Sequence, residues 1–264
     1  MKILILQIYN TYNYGTAMMG INMAHYISKF NTDNDIEIYI DCKTEDNIKR
    51  FKDSMEIDNV RVNEIFIRKN KTVSKKVRLF TAPIRYIKFK KNRQMYIKEL
   101  SEFYDYIIIL GGDDMSGEYP FKGIRNQLIN IHKISKLNNI ILFGHTIGPF
   151  NKARSIIAKR CLKNTSIYTR DFNSYLYLKE NLGLTKIKET ADLAFLNLPY
   201  QNIINAKELL FKYGLDVNDY VTFVPSGLYK YYTDDENEYV KSWIGIIESI
   251  ARMDQLKDSK ILLL

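Results

Sequence analysis

Two cysteines, Cys42 and Cys161, are the only thiols in 264 residues, and they lie far apart. They form no metal-ligand spacing, so a reducing cytoplasm is the expected compartment. Histidine is scarce as well: His25 and His132 fall inside helical patterns, and only His145 sits where a strand runs into a loop. No apolar run approaches the roughly 18–20 residues that a membrane-spanning helix needs. The opening stretch Met1–Ile8 is short, β-branched and not followed by a small-residue cleavage site, so a first buried strand is expected there rather than a secretory signal.

Acid is missing from one long segment. Between Arg68 and Lys98 there are twelve Lys/Arg and no Asp or Glu; without them the net charge of +9 becomes −3. The same segment carries Leu79, Phe80, Ile84, Tyr86, Ile87 and Phe89. A basic, partly apolar excursion of this kind either forms a solvated helical surface or lies on an anionic membrane face. Nucleic acid is not an expected partner, because no recognised binding module accompanies the charge.

What is abundant is alternation. Apolar strand patterns fit residues 2–8, 36–40, 60–67, 105–111, 139–144, 166–169 and 187–190. Amphipathic helical patterns fit 16–30, 121–137, 152–163, 172–182, 203–213 and 236–252. Strands that read as unbroken Ile/Leu/Val runs are buried on both faces, and their alternation with helices predicts an α/β fold with a doubly wound, Rossmann-type parallel sheet. A seam near Asn197-Leu198-Pro199 divides an N-terminal domain, 1–198, from a segment 199–264. The latter holds a linker helix and the strand Tyr220–Val224, and ends in the apolar run Lys260–Leu264. That segment is expected to be the truncated start of a second Rossmann-like domain.

Ligands of open parallel sheets bind beyond the carboxyl ends of the strands, so the loops there hold the candidate site. The first, with Asn13, Tyr14 and Gly15, can present backbone N–H groups at a helix N-terminus to phosphate or carboxylate, or can serve as an ordinary cap. The second, Gly111-Gly112-Asp113-Asp114, combines glycines that let a ligand approach the backbone with carboxylates suited to sugar hydroxyls or to Mg²⁺; a substrate contact is the preferred reading, and no metal is expected. The third, Gly144-His145-Thr146-Ile147-Gly148-Pro149-Phe150, brings His145, either as a general acid or phosphate contact or as a histidine hydrogen-bonded within the sheet edge. In the fourth, Thr169-Arg170-Asp171, the guanidinium can clamp a carboxylate or phosphate or pair with a nearby acid. Thr190-Ala191-Asp192-Leu193-Ala194-Phe195 repeats the pattern of a strand followed by an acid.

In order and spacing, Tyr12-Asn13-Tyr14-Gly15, Gly111-Gly112-Asp113, Gly144–Phe150, Thr169-Arg170-Asp171 with Ser174, and Ala191–Phe195 together resemble the polysaccharide pyruvyl transferase family. The resemblance covers roughly residues 1–198 and continues weakly beyond them. It implies a GT-B-like architecture of two Rossmann-type domains facing across a cleft. It also implies transfer of a pyruvyl group from phosphoenolpyruvate to a sugar of a cell-surface polysaccharide or its lipid-linked precursor, giving a ketal, with no cofactor. On that basis Arg170 and His145 are the expected catalytic residues, as anion clamp and as acid or phosphate contact. Asn13, Tyr14, Gly15, Gly111, Gly112, Asp113, Thr146 and Gly148 are expected to line the substrate site. The implied place of work is the cytoplasmic membrane face, with segment 68–98 as a peripheral contact. The alternatives are a GT-B glycosyltransferase that uses a nucleotide sugar, and a non-catalytic sugar- or membrane-binding remnant.

Overall fold

The computed structural model describes residues 1–8, 10–30, 35–42, 44–54, 60–62, 97–197, 203–216, 219–225, 229–231, 233–256 and 258–263. The chain divides into two compact units, Met1–Tyr200 and Gln201–Leu264. Nearly all of the basic segment, and with it the expected membrane contact, lies outside the described residues.

The first unit is built on β1 (Lys2–Leu6), β2 (Glu37–Ile40), β3 (Val60–Val62), β4 (Tyr106–Leu110), β6 (Asn139–His145), β8 (Ser166–Thr169) and β9 (Ile187–Glu189), the two short strands between them being described below. These pair in the order β3-β2-β1-β4-β6-β8-β9. Every neighbouring pair is parallel. This is the doubly wound arrangement that the alternating pattern predicts.

The sheet faces show why the strands lack polar alternation. Leu4, Leu6, Ile107, Ile109, Leu142 and Ile167 project into one core cluster, whereas Ile3, Ile5, Ile38, Ile40, Ile108 and Leu110 project into another. Successive side chains point to opposite faces, and both faces are covered. Helix α1 (Tyr14–Lys29) buries Ile21, Met23 and Ala24 in the second cluster, and α2 (Glu45–Asp53) adds Phe51. Helix α3 (Phe121–Ile134) covers the first with Ile124, Leu128, Ile131 and Ile134, a helical stripe of three- and four-residue steps. Helix α4 (Lys152–Leu162) adds Ala158, Cys161 and Leu162.

Helix α2 and a helical stretch over 97–103 have no counterpart in the sequence reading. In α2 the nine residues include only Ile48 and Phe51 as apolar positions, too few for a period. Its start is fixed instead by Thr44, whose side chain accepts from the Asn47 N–H. The predicted helix 172–182 is α5 (Phe172–Leu176), which widens into a π turn over Tyr177–Asn181.

The second unit contains α6 (Ile203–Lys212), β10 (Tyr220–Phe223), α7 (Glu236–Ala251) and β11 (Lys260–Leu263). The two strands are parallel, with Tyr220 opposite Lys260 and Phe223 opposite Leu263. Asp235 caps α7 by accepting from the Asn237 and Glu238 N–H groups.

Both thiols are buried. Burial, with the Asp41 charge adding, pushes the Cys42 thiol up to about 12. Burial also raises Cys161, against a smaller opposing effect of Arg160. The thiolate is the reactive form, so the native protein is expected to show no fast thiol reaction with an aromatic disulfide reagent near neutral pH. Both thiols should react after unfolding; a fast native phase would contradict this burial.

Candidate active site

The strand order reverses between β1 and β4, so the connections leaving their carboxyl ends diverge, the position at which doubly wound sheets open a crevice. The β1–α1 loop is held from below. Gln7 takes a left-handed φ of 76°, and its N–H and that of Ile8 donate to the two carboxylate oxygens of buried Asp41, at 3.0 and 2.9 Å. Thr11 is pinned to Asn47 of α2 by its N–H and hydroxyl, at 3.1 and 2.9 Å. Asn13 caps α1, its Oδ1 accepting from the Thr16 N–H at 3.1 Å. Tyr14 and Gly15 open the helix, with Tyr14 exposed.

The loops after β4 and β6 are zipped together. Gly111 N–H donates to the Phe143 carbonyl at 3.1 Å and Thr146 N–H to the Gly112 carbonyl at 2.8 Å. Beyond them β5 (Met115–Ser116) pairs in parallel with β7 (Ile147–Gly148). Within this zipper His145 is fully buried, at 0% exposure. Its Nε2 lies 3.1 Å from the Ile109 carbonyl, and its Nδ1 lies 3.4 Å from Asp114 Oδ1. Of the two sequence readings for His145, the structure shows the histidine bonded within the sheet edge.

The space that Gly111 leaves is filled by that ring. A Cβ on Gly111 would lie 1.9 Å from both Cε1 and Nδ1 of His145. This glycine therefore admits the imidazole, where the sequence reading gave that room to a ligand. The two aspartates diverge. Asp113 is exposed and accepts from the Tyr119 hydroxyl at 3.1 Å, while Asp114 accepts from Gln127 Nε2 at 2.7 Å and faces His145. Burial pushes the Asp114 carboxyl up, but His145 and then Gln127 outweigh it, and the group is held below its ordinary value. Among the described residues no cluster of His, Cys, Asp or Glu has the makings of a metal site.

Arg170 follows β8 and is held from two sides. Its Nε donates to Thr146 Oγ1 at 2.9 Å and its Nη1 to Asp192 Oδ2 at 2.9 Å. Its side chain is 28% exposed and that of Asp192 19%. A Cβ on Gly112 would sit 3.9 Å from Nη1, in ordinary contact, so Gly112 lies beneath the guanidinium. The holders are themselves held. Thr146 Oγ1 donates to Asp171 Oδ2, and Asp171 caps α5 through Oδ1 and accepts from the Ser174 hydroxyl. Ser174 Oγ accepts from the Ile147 N–H at 3.0 Å. Asp192 Oδ1 accepts from the Ala194 N–H, and Asn22 of α1 donates to the Leu193 carbonyl at 2.7 Å. Among the described residues no group accepts from Arg170 Nη2, so the fork keeps a donor for an anion.

Gly148 has a φ of 75°, and a Cβ there would meet the Tyr177 ring at 2.4 Å. Tyr177 in turn bonds Ser155 Oγ through its hydroxyl at 2.8 Å and accepts from the Phe150 N–H at 3.2 Å. Gly148 therefore gives its room to the Tyr177 ring, where the sequence reading expected a substrate contact.

The family model for polysaccharide pyruvyl transferase matches residues 13–263. The chain belongs to that family. No curated protein sequence matches it. Among solved structures it is similar to UGT73P12, a GT-B glycosyltransferase from Glycyrrhiza uralensis, complexed with glycyrrhetinic acid 3-O-monoglucuronide. That likeness has a TM-score of 0.50 at 9% identity, and covers 100% of this chain and 68% of the other. It bears on the fold alone, which is GT-B-like.

In this pyruvyl transferase family member the structure gathers Arg170, Thr146 and Gly112 into one arrangement and His145 and Gly111 into the adjoining one. Asp113, exposed and bonded to Tyr119, belongs to neither. Asp114, read from the sequence with Asp113 as a substrate contact, instead faces His145 and Gln127, and Asp192 and Tyr177 hold the site although the candidate set named from the sequence omits them. Asp192 carried a signal, an acid directly after a strand. Tyr177 carried none, because its role depends on the π turn that aims it at Gly148.

Proposed function

We propose that the protein transfers a pyruvyl group from phosphoenolpyruvate to a sugar of a cell-surface polysaccharide, or of its lipid-linked precursor, and closes a ketal. Protonation of the methylene carbon makes the adjacent carbon electrophilic and one sugar hydroxyl adds to it. Phosphate then leaves and a second hydroxyl of the same sugar takes its place. Phosphoenolpyruvate and a diol are consumed; the ketal and inorganic phosphate are formed. Both ends of the donor are anionic, so the reaction needs a fixed cation.

The observation that carries this reading is Arg170, a guanidinium positioned by Thr146 and Asp192 at the carboxyl edge of the sheet with one nitrogen still able to donate. It would clamp the phosphate or carboxylate of the donor. The loops with Asn13, Tyr14 and Gly15 and with Asp113 would meet the acceptor. Among the described residues no helix is long and apolar enough to cross a membrane.

Incubation with phosphoenolpyruvate and a panel of acceptor glycans, following phosphate release and product mass, tests this. Phosphate release that depends on acceptor, with a product heavier by pyruvate less one water, is expected. Absence of release with every acceptor, alongside turnover of a nucleotide sugar, would replace this reading by the glycosyltransferase one.

A further inference from the structure

We infer that the buried His145 and the partly exposed Asp114 form a latch that positions Arg170 for its anion, acting through the loops rather than on the reacting atoms. The inference rests on the proposed role of Arg170 as anion clamp. Both ring nitrogens of His145 face oxygen atoms. The Ile109 carbonyl can only accept, so Nε2 carries a hydrogen and donates it. Nδ1 faces Asp114 Oδ1 at 3.4 Å, within ion-pair distance but outside hydrogen-bond geometry, and neither atom makes a hydrogen bond to any other group. A single proton between these two atoms satisfies both; with none, a nitrogen lone pair would face a carboxylate away from water. The ring exposes no atom through which to hand a proton to a substrate.

The latch reaches Arg170 through short, named contacts. Asp114 is tied to α3 by Gln127, and His145 to β4 by Ile109, so together they set how the two loops meet. On the other side of that junction the Gly112 carbonyl fixes the Thr146 N–H, and Thr146 Oγ1 accepts from Arg170 Nε. Gly112 also lies under Arg170 Nη1. Opening the latch would release Gly112 and Thr146, and the fork would lose its aim without losing its charge.

Two substitutions of His145 separate its two nitrogens. In His145→Asn the amide nitrogen can stand at the place of Nδ1 and still donate to Asp114. In His145→Gln the amide stands at the place of Nε2, retaining Ile109 and abandoning Asp114. Calorimetric titration with phosphoenolpyruvate should find Asn within about threefold of the native affinity and Gln weakened about tenfold, the scale of a misaimed positioning contact. Asp114→Ala should weaken binding to a similar degree and Asp114→Asn should restore most of it, since an amide can donate to a neutral Nδ1. Under saturating donor, kcat should fall far less than affinity in every variant. If Asp114→Ala does not fold, the Asn–Gln contrast at His145 decides alone. Equal affinity in both His145 variants overturns the latch, as does a loss confined to kcat, the mark of a proton donor. Arg170→Ala, run alongside, locates a failure. Unchanged affinity there removes the clamp and with it this inference, whereas weakened affinity there with unaffected latch variants removes the latch alone.

Discussion

Arg170→Ala is expected to lower kcat/KM for phosphoenolpyruvate about thirtyfold or more, because truncating one partner of a held charge pair costs about 2–5 kcal/mol. Arg170→Lys should fall between, losing about tenfold. The ammonium keeps the charge, but one point donor cannot bond Thr146, Asp192 and an anion in the plane that the fork occupies. Initial rates of phosphate release measure both. Thermal unfolding of the same samples separates lost binding from lost fold, since Arg170→Ala also deprives the half-buried Asp192 of its partner. Asp192 keeps its cap to the Ala194 N–H, so the stability loss should stay modest. Donor kinetics in Arg170→Ala within threefold of the native values would end the assignment of Arg170 as clamp.

The largest stability effect is expected at Gly111. Its backbone is not in the left-handed region, so any cost of Gly111→Ala is steric. The added methyl would sit 1.9 Å from two atoms of the His145 ring, and the ring has nowhere to go without leaving Ile109 and Asp114. Overpacking costs about 1–3 kcal/mol and a buried polar group stripped of its partner about 1–3 more. For a unit of this size that should lower the melting temperature by roughly 10 °C. Gly112→Ala is the control, because its methyl would meet only Arg170 Nη1 at 3.9 Å and should cost little stability. Adding His145→Ala to Gly111→Ala removes the obstacle, so the double variant should melt no lower than His145→Ala alone. A melting temperature for Gly111→Ala within two degrees of the native one would mean that ring and glycine do not share this space.

The layout of the first unit was legible because burial on both faces leaves a mark that needs no partner to be seen. Ile107, Ile108 and Ile109 feed different cores on opposite sides of one strand, and the run of three branched residues states both at once. Helix α2 was not legible. Its two apolar residues make no period, and its start depends on one threonine side chain. The site divides in the same way. The positions of Arg170 and His145 at strand ends follow from the order of apolar runs and loops, and the series of loops also carried the family resemblance that the match over 13–263 bears out.

The chain by itself determined the α/β class, the carboxyl-edge location of the candidate residues and the membership in the pyruvyl transferase family, since each rests on local composition and on order along the sequence. Only the tertiary structure decided which residue does what at that edge. Gly111 and His145 are 34 positions apart, and whether the glycine admits a ligand or a ring depends on the register of β4 against β6, where Leu110 lies opposite Phe143. Arg170 had two nearby acids to choose from. Asp171 was already turned to cap α5 and receive Thr146, so the guanidinium pairs with Asp192, brought alongside by β9. Those choices are set by distances across the sheet, which sequence order does not encode one residue at a time.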